Sequence, residues 1–299
     1  MHIPVLLNKT IKYLDPKPGE NFIDCTLGEA GHTKAILKKT EPNGKVLGID
    51  ADTESLKRIK LDPEIMKYES QGRLMLVRSN FKNIKKAVEE NRFQNIKGVL
   101  FDLGLSSWQI EESKKGFTYK KDEPLIMILN GSQDVSAQEI INNWPEESLI
   151  GLFQKYAQER FSRRIVRGIM AQRKISPIKT TTQLKNIIIR AIPRSKTRRG
   201  KKDRVLARIF QALRIEVNDE LENLKQGLED SLEILDKEGR IAIISFHSLE
   251  DRIAKIFLRE KAKEGKIEIL TKKPIAPDEE EKRMNPRSRS AKLRVGIKI

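Results

Sequence analysis

The chain has 299 residues, 38% hydrophobic and 34% charged, with a formal net charge of +17 and a mean hydropathy of -0.53. That length can bury a sizeable core as one large domain or two ordinary ones. No apolar stretch approaches the ~20 residues a bilayer crossing needs, "IPVLL" is too short for a signal-peptide core, and a single cysteine, Cys25, excludes an internal disulfide and speaks against a disulfide-linked partner or a cysteine zinc site. A cytoplasmic protein with no membrane association is expected.

From the N-terminus, short apolar runs alternate with helical patterns: "NFIDCTL", "TKAILKKT", "KVLGID", "TESLKRIK", "RLMLVRS", "IKKAVEEN" and "IKGVLFDLG". Strands of four to six residues separated by helices imply right-handed crossovers and a parallel sheet. From Gly116 to Arg214 the periodicity is helical, through "SAQEIINNWPEESLIGLFQKYAQERFSRRIVRGIMAQRK" and "TTTQLKNIIIRAI", with Thr181 as an expected cap. The strand pattern returns in "GRIAIISF", "KIEILT" and "KLRVGIKI", separated from the middle by "LENLKQGLEDSLEILD" and followed by "SLEDRIAKIFLREKAK". With no helical pattern between them, the last two strands are expected to pair antiparallel at the sheet edge. The expected fold is therefore α/β, with a sheet domain over 1–115 and 215–299 and an inserted helical domain over 116–214.

The charge is local. From Lys155 to Arg214 there are nineteen Lys and Arg against two acids, Glu159 and Asp203, so the rest of the chain is balanced. A charge run is often only a solvated face, but a segment this one-sided, carrying Arg194, Lys196, Arg198, Arg199, Lys201, Lys202 and Arg204, points to phosphate, since neutralising several phosphates releases counterions. RNA or DNA is the leading partner. An anionic membrane surface is weaker, because Pro193 and Gly200 interrupt an amphipathic helix.

Ligands of open parallel sheets sit beyond the carboxyl ends of the strands, which selects four places. After the first strand, "DCTLGEAGHT" gives Asp24, Gly28, Gly31 and a helix starting near His32, whose N-terminus favours a negative group. The second strand ends at Asp50, an acid able to accept ribose hydroxyls or simply to cap the next helix. Phe81 after the third offers an apolar neighbour for adenine, and the fourth is followed by Asp102, Ser106, Ser107, Trp108 and Gln109. Glycine, acid, aromatic and acid on successive strand ends suit S-adenosylmethionine better than a nicotinamide. A dehydrogenase also lacks its glycine fingerprint and leaves the basic insert without a purpose. "ISFHSLED" holds the residue types of a hydrolase triad in His247, Ser248 and Asp251, but neighbours in sequence rarely converge in that geometry. Ser248 reads as a helix cap with Asp251 at the third helical position. His247 faces a substrate or is structural, with both readings open, and no metal site is indicated.

The stretches "HIPVLL", "DCTLGEAGH", "GID", "FDLGLSS" with Gln109, "GFTY", "QERFSRRI", "FQALRIEVNDEL", "ISFHSLEDRIAKIF" and "NPRSRSAKLR" together resemble the MraW family, the bacterial methyltransferase H enzymes that methylate the exocyclic N4 of a cytosine in the decoding region of 16S ribosomal RNA. The resemblance implies a class I S-adenosylmethionine-dependent methyltransferase: a Rossmann-like seven-stranded sheet with a terminal antiparallel hairpin and an inserted helical domain. Its cofactor contacts fall on Ala30, Gly31, His32, Asp50, Phe81, Asp102 and Gln109. Ala30 stands where the family usually has glycine. Asp102 with Ser106 or Ser107, and His247, are candidates for orienting the amine, and Trp108 either stacks on a flipped base or packs under the insert. Its partner is 16S RNA within the small ribosomal subunit, with homodimerisation open. One stretch departs: the family runs close to D-G-P-L-D-M-R-M-D where this chain reads "DEPLIMILN", so Glu123, Ile126, Ile128 and Asn130 differ. That loss of acids and an arginine sustains an alternative, a ribosome-associated RNA-binding protein with weak or lost transfer.

Overall fold

A computed structural model describes residues 4–129, 135–193 and 201–299, with Lys201 described by its backbone alone. They form a seven-stranded sheet in the order β3-β2-β1-β4-β5-β7-β6. The strands are β1 (Asn21–Asp24), β2 (Val46–Asp50), β3 (Leu74–Arg78), β4 (Ile96–Asp102), β5 (Arg240–Ser245), β6 (Ile267–Ile269) and β7 (Lys292–Lys298). β1 through β5 pair in parallel, and β7 runs antiparallel to both β5 and β6. All seven correspond to apolar runs visible in the sequence, and the terminal hairpin forms as expected.

The chain divides into two compact units, 1–104 with 221–299, and 105–220. The first holds the sheet between two helical layers. Phe22, Leu100, Ala242 and Ile244 face a core completed by α1 (Leu7–Leu14), α2 (Gly31–Lys39), α3 (Thr53–Ile59) and α4 (Pro63–Ser70). The alternate residues Ile23, Val99, Phe101 and Ile243 face the other way, onto α5 (Ile84–Glu90), α12 (Glu220–Ile234) and α13 (Ser248–Lys263). Burial on both faces is why these strands read as continuous apolar runs.

The second unit contains α6 (Ser107–Glu111), α7 (Ala137–Asn143), α8 (Glu146–Lys155), α9 (Ser162–Ile175), α10 (Thr181–Ala191) and α11 (Lys201–Asn218). It has its own core around Leu149, Phe153, Ile165, Ile169, Leu184, Ile188, Ile209 and Leu213. Its limits are wider than the expected 116–214. α11 runs unbroken to Asn218, whose side chain donates to the Met127 carbonyl at 2.8 Å and accepts from the Leu129 N–H at 2.9 Å. On the other side, the Met127 N–H donates to the Lys115 carbonyl at 2.7 Å.

Three local expectations shift. Thr180, not Thr181, caps α10, with Gln183 completing a capping box. His247, not Ser248, caps α13, with Glu250 rather than Asp251 at the third helical position. Between β6 and β7 lies a helix, α14 (Glu279–Met284), capped by Asp278. It buries no side chain, so it left no apolar period to read.

Candidate active site

Within the sheet unit, four acids and a histidine pair gather around the carboxyl ends of β1, β2, β4 and β5. Asp24 is buried and ties the loop after β1 together: Oδ1 accepts from the Thr26 N–H at 3.1 Å and Oδ2 from the Thr33 hydroxyl at 2.7 Å. Burial raises its proton affinity against those bonds. The loop is also pinned to the strand ends, with the Cys25 N–H on the Leu100 carbonyl and the Leu27 N–H on the Ile49 carbonyl. Gly28 takes a φ of +51°, where a side chain is disfavoured, and its N–H points at Asp50 Oδ2, 2.9 Å away. Asp50 accepts further from the Asp52 N–H at 2.8 Å and the Ser55 hydroxyl at 3.3 Å. Burial outweighs these bonds and pushes its carboxyl up to about 6. Two oxygens offer about four acceptor sites, so three donors leave room for another.

Ala30 caps α2 with a φ of 59°, its methyl group fully buried. The backbone thus adopts the conformation a glycine would take, at a cost of roughly 1–2 kcal/mol. Gly31 serves packing: a Cβ there would lie 2.2 Å from Pro4 Cγ, so Pro4 closes on the helix N-terminus. His32 is buried in the first turn of α2, with Nδ1 3.6 Å from Asp102 Oδ2.

Asp102 ends β4, and its backbone N–H donates to the Thr26 hydroxyl at 2.6 Å. Its Oδ1 is buried with no hydrogen-bond partner among the described residues. Burial, with the Asp24 and Glu250 carboxylates nearby, pushes this carboxyl well above the usual range. Phe81 lies in a single helical turn, Phe81–Asn83, with its ring edge-on to Phe101 at 5.7 Å. At the end of β5, His247 Nδ1 accepts the Glu250 N–H at 3.4 Å, so in the neutral ring the proton sits on Nε2, 3.0 Å from Glu250 Oε1. Glu250 Oε2 takes the N–H groups of Phe246 at 2.8 Å and His247 at 3.3 Å. Nδ1 of His247 is thus engaged in holding the strand-to-helix turn, while the buried Nε2, though close to Glu250 Oε1, makes no hydrogen bond among the described residues. Asp251 points elsewhere, to Lys292 at 2.9 Å and Arg294 at 2.7 Å. Burial alone would raise it, but these cations hold its carboxyl below the usual range.

In the helical unit, Ser106 and Gln109 form a capping box on α6: the Ser106 hydroxyl accepts the Gln109 N–H at 3.2 Å, and Gln109 Oε1 accepts the Ser106 N–H at 2.9 Å. Ser107 and Trp108 occupy the first turn of that helix, half-buried. "DEPLIMIL" is an irregular strap across this unit. Leu125 and Met127 are core residues at 0% and 1% exposure. Ile128 packs against the same core, half-buried, while Ile126 is 36% exposed. Glu123, where the family pattern has glycine, is buried with Oε2 on the Gly116 N–H at 3.0 Å. Of the basic run, Lys202 and Arg204 lie in the first turns of α11 and Lys201 at its start. Arg194, Lys196, Arg198 and Arg199, like Asn130, lie outside the described residues.

The sequence profile of the MraW methylase family matches residues 1–299. The chain belongs to the MraW methylase family. The protein named Ribosomal RNA small subunit methyltransferase H from Clostridium botulinum (strain Loch Maree / Type A3) is 45% identical over 313 residues, covering 100% of this chain and 99% of the relative. The protein of the same name from Heliobacterium mobile is 42% identical over 316 residues, covering 100% and 99%. A crystal structure of an rRNA methylase from Streptococcus thermophilus aligns over 100% of this chain and 99% of that one, at 10% identity and a TM-score of 0.45.

MraW methylase membership makes the chain an S-adenosylmethionine-dependent methyltransferase of Rossmann-like fold with an inserted helical region. The comparisons lend no support to the reading as an RNA-binding protein without transfer. Among the described residues, no helix is long and apolar enough to cross a membrane. Sequence reasoning passed over Glu250, Thr26 and Thr33. The spacing of His247 and Glu250 is a capping-box signal, hidden by the serine one residue later.

Proposed function

We propose that this chain transfers the methyl group of S-adenosylmethionine to the exocyclic N4 of a cytidine in the decoding region of 16S ribosomal RNA, within the small subunit in the cytoplasm. The observation that carries the reading is the match over residues 1–299, which includes every strand end that bears a candidate residue. The donor set suits the cofactor. Asp50 has acceptor capacity left beside the Gly28 N–H for ribose hydroxyls, and Phe81 offers an apolar wall for adenine. Asp102 Oδ1, buried and unpartnered among the described residues, wants a donor or a cation. Ala30, Gly31 and His32, at the N-terminus of α2, present the positive end of the helix to a carboxylate.

When bound, the cofactor supplies an electrophilic methyl on a sulfonium cation. Asp24, Asp102 and Glu250 crowd at the strand ends and raise the proton affinity of Asp102, and a cationic ligand would relieve that repulsion where its neutral demethylated product would not. A cytosine amine is a weak nucleophile because its lone pair is delocalised into the ring. Orientation must therefore supply much of the rate. Asp102 has an acceptor atom, Oδ1, available to take an N–H. Ser106 and Gln109 act by holding α6 through their capping box, and His247 by holding the turn after β5. Whether the protein works as a homodimer is settled by its mass in solution.

The test is transfer of labelled methyl to small subunits from a strain lacking the modification, followed by mapping of the modified base. Label on the N4 of a decoding-region cytidine is the expected result. Cofactor binding with no transfer would overturn the proposal.

A further inference from the structure

"QERFSRRI" matches the family pattern, yet its cations take no part in the chemistry above. Glu159 is buried and bonds Arg208 and the Phe161 N–H, fixing the approach to α9. Ser162, Ile165, Val166 and Ile169 are the buried side of the helix. At about 100° per residue, Arg163, Arg164, Arg167 and Lys174 fall within one arc of roughly 100° on the opposite side, and Arg160 lies in the turn just before the helix. All five are exposed, and no acid occurs between Arg160 and Ile175.

The partners of these cations are few. Arg163 lies 3.7 Å from Glu147, both largely exposed, and Arg160 stacks on the Phe161 ring at 4.6 Å. Arg164, Arg167 and Lys174 have no ion pair or hydrogen bond among the described residues. Arg173, by contrast, turns inward to cap α7 through the Ile141 and Trp144 carbonyls at 3.1 and 2.9 Å. The helix thus sorts its cations: the one with a structural task points in, and those without one share a ridge on the order of 17 Å long at 1.5 Å per residue. Like charges crowded on one side cost self-repulsion, and the exposed Arg163–Glu147 pair offsets only a small part of it.

We infer that the exposed face of α9, through Arg163, Arg164, Arg167 and Lys174, with Arg160 in the turn before it, is a second RNA-binding surface that grips the phosphate backbone of the ribosomal substrate without reading its sequence. The inference rests on the reading of the chain as a ribosomal RNA methyltransferase. Such a surface contributes to KM and leaves kcat unchanged, because phosphate contacts position a substrate without touching the reacting atoms.

The test compares the parent with Arg164→Gln/Arg167→Gln/Lys174→Gln and with a charge-matched control, Lys60→Gln/Lys67→Gln/Lys86→Gln, whose residues are exposed on the sheet unit. Both variants drop the same net charge, and calorimetric cofactor binding checks that each is folded. Affinity for a small-subunit RNA fragment is measured from 50 to 200 mM salt. Each lost phosphate contact removes about 0.7–0.9 from the log–log slope, so across that range the α9 variant should lose about 20- to 40-fold less affinity than the parent. Its KM for subunits should rise with kcat unchanged, while the control follows the parent. An α9 variant with the parent's slope and KM overturns the inference. So does one that loses subunit binding yet keeps the parent's slope on naked RNA, which would assign the ridge to a protein. A parent that binds RNA but transfers no methyl counts against the enzymatic reading and leaves the slope comparison intact.

Discussion

Replacing Asp50 with asparagine tests the electrostatics of the strand ends. Burial lifts its carboxyl from 3.8 to about 6 despite bonds from Gly28, Asp52 and Ser55. Between these values the folded, ligand-free chain holds a proton that the unfolded chain has lost. Stability from this group is therefore full below about 3.8 and falls as pH rises through 6, by about 3 kcal/mol at 1.36 kcal/mol per unit. Ribose hydroxyls need the anion, so cofactor binding runs the opposite way: the dissociation constant should be near its minimum at pH 7 and about tenfold higher at pH 5. Asp50→Asn cannot ionise, should bind ~1.5–3 kcal/mol more weakly at pH 7, and should lose this part of the pH dependence. Isothermal titration of both proteins from pH 5 to 8 gives the answer. Asp24 and Asp102 also carry raised proton affinities, so the difference between the two profiles is the quantity that isolates Asp50. Parallel profiles would refute the assignment of ribose binding to this carboxylate.

Other expectations are simpler. Gly31→Ala should cost about 1–3 kcal/mol in urea denaturation, because its Cβ would meet the Pro4 ring, and adding Pro4→Ala should recover most of the loss. Asn218→Ala removes the bonds to Met127 and Leu129, so stability should fall by about 1–3 kcal/mol and the Leu129 amide should exchange faster with solvent. His247→Asn keeps a good capping residue: the melting temperature should hold, and transfer should stay within a few-fold of the parent. A hundredfold loss of kcat with unchanged stability would instead place His247 against the substrate.

The seven strands were legible because each is an apolar run bounded by turn residues and covered on both faces, as Phe22 and Ile23 illustrate by entering opposite cores. Helix caps were legible to within one residue. A serine or threonine beside the true cap gives the same signal, and geometry chose Thr180 and His247. The candidate acids could be found from strand ends alone. What they do to one another could not, since the rise in Asp102's proton affinity depends on Asp24 and Glu250, 78 and 148 residues away in sequence, and on burial that no local pattern reports.

"DEPLIMIL" shows the limit from the other side. Compared with the family pattern, it reads as an active-site edge that has lost its charges. The structure divides the stretch by burial. Leu125 and Met127, which keep the pattern, are the core residues, and Met127 holds a φ of 57° under bonds from Asn218 and to Lys115. Among the departures, Glu123 has acquired a buried bond to the Gly116 N–H, and Ile128 adds apolar packing. These two changes support the helical unit itself. Ile126, exposed at 36%, has no such task, so a functional difference from the family, if this strap carries one, should be sought first at that residue.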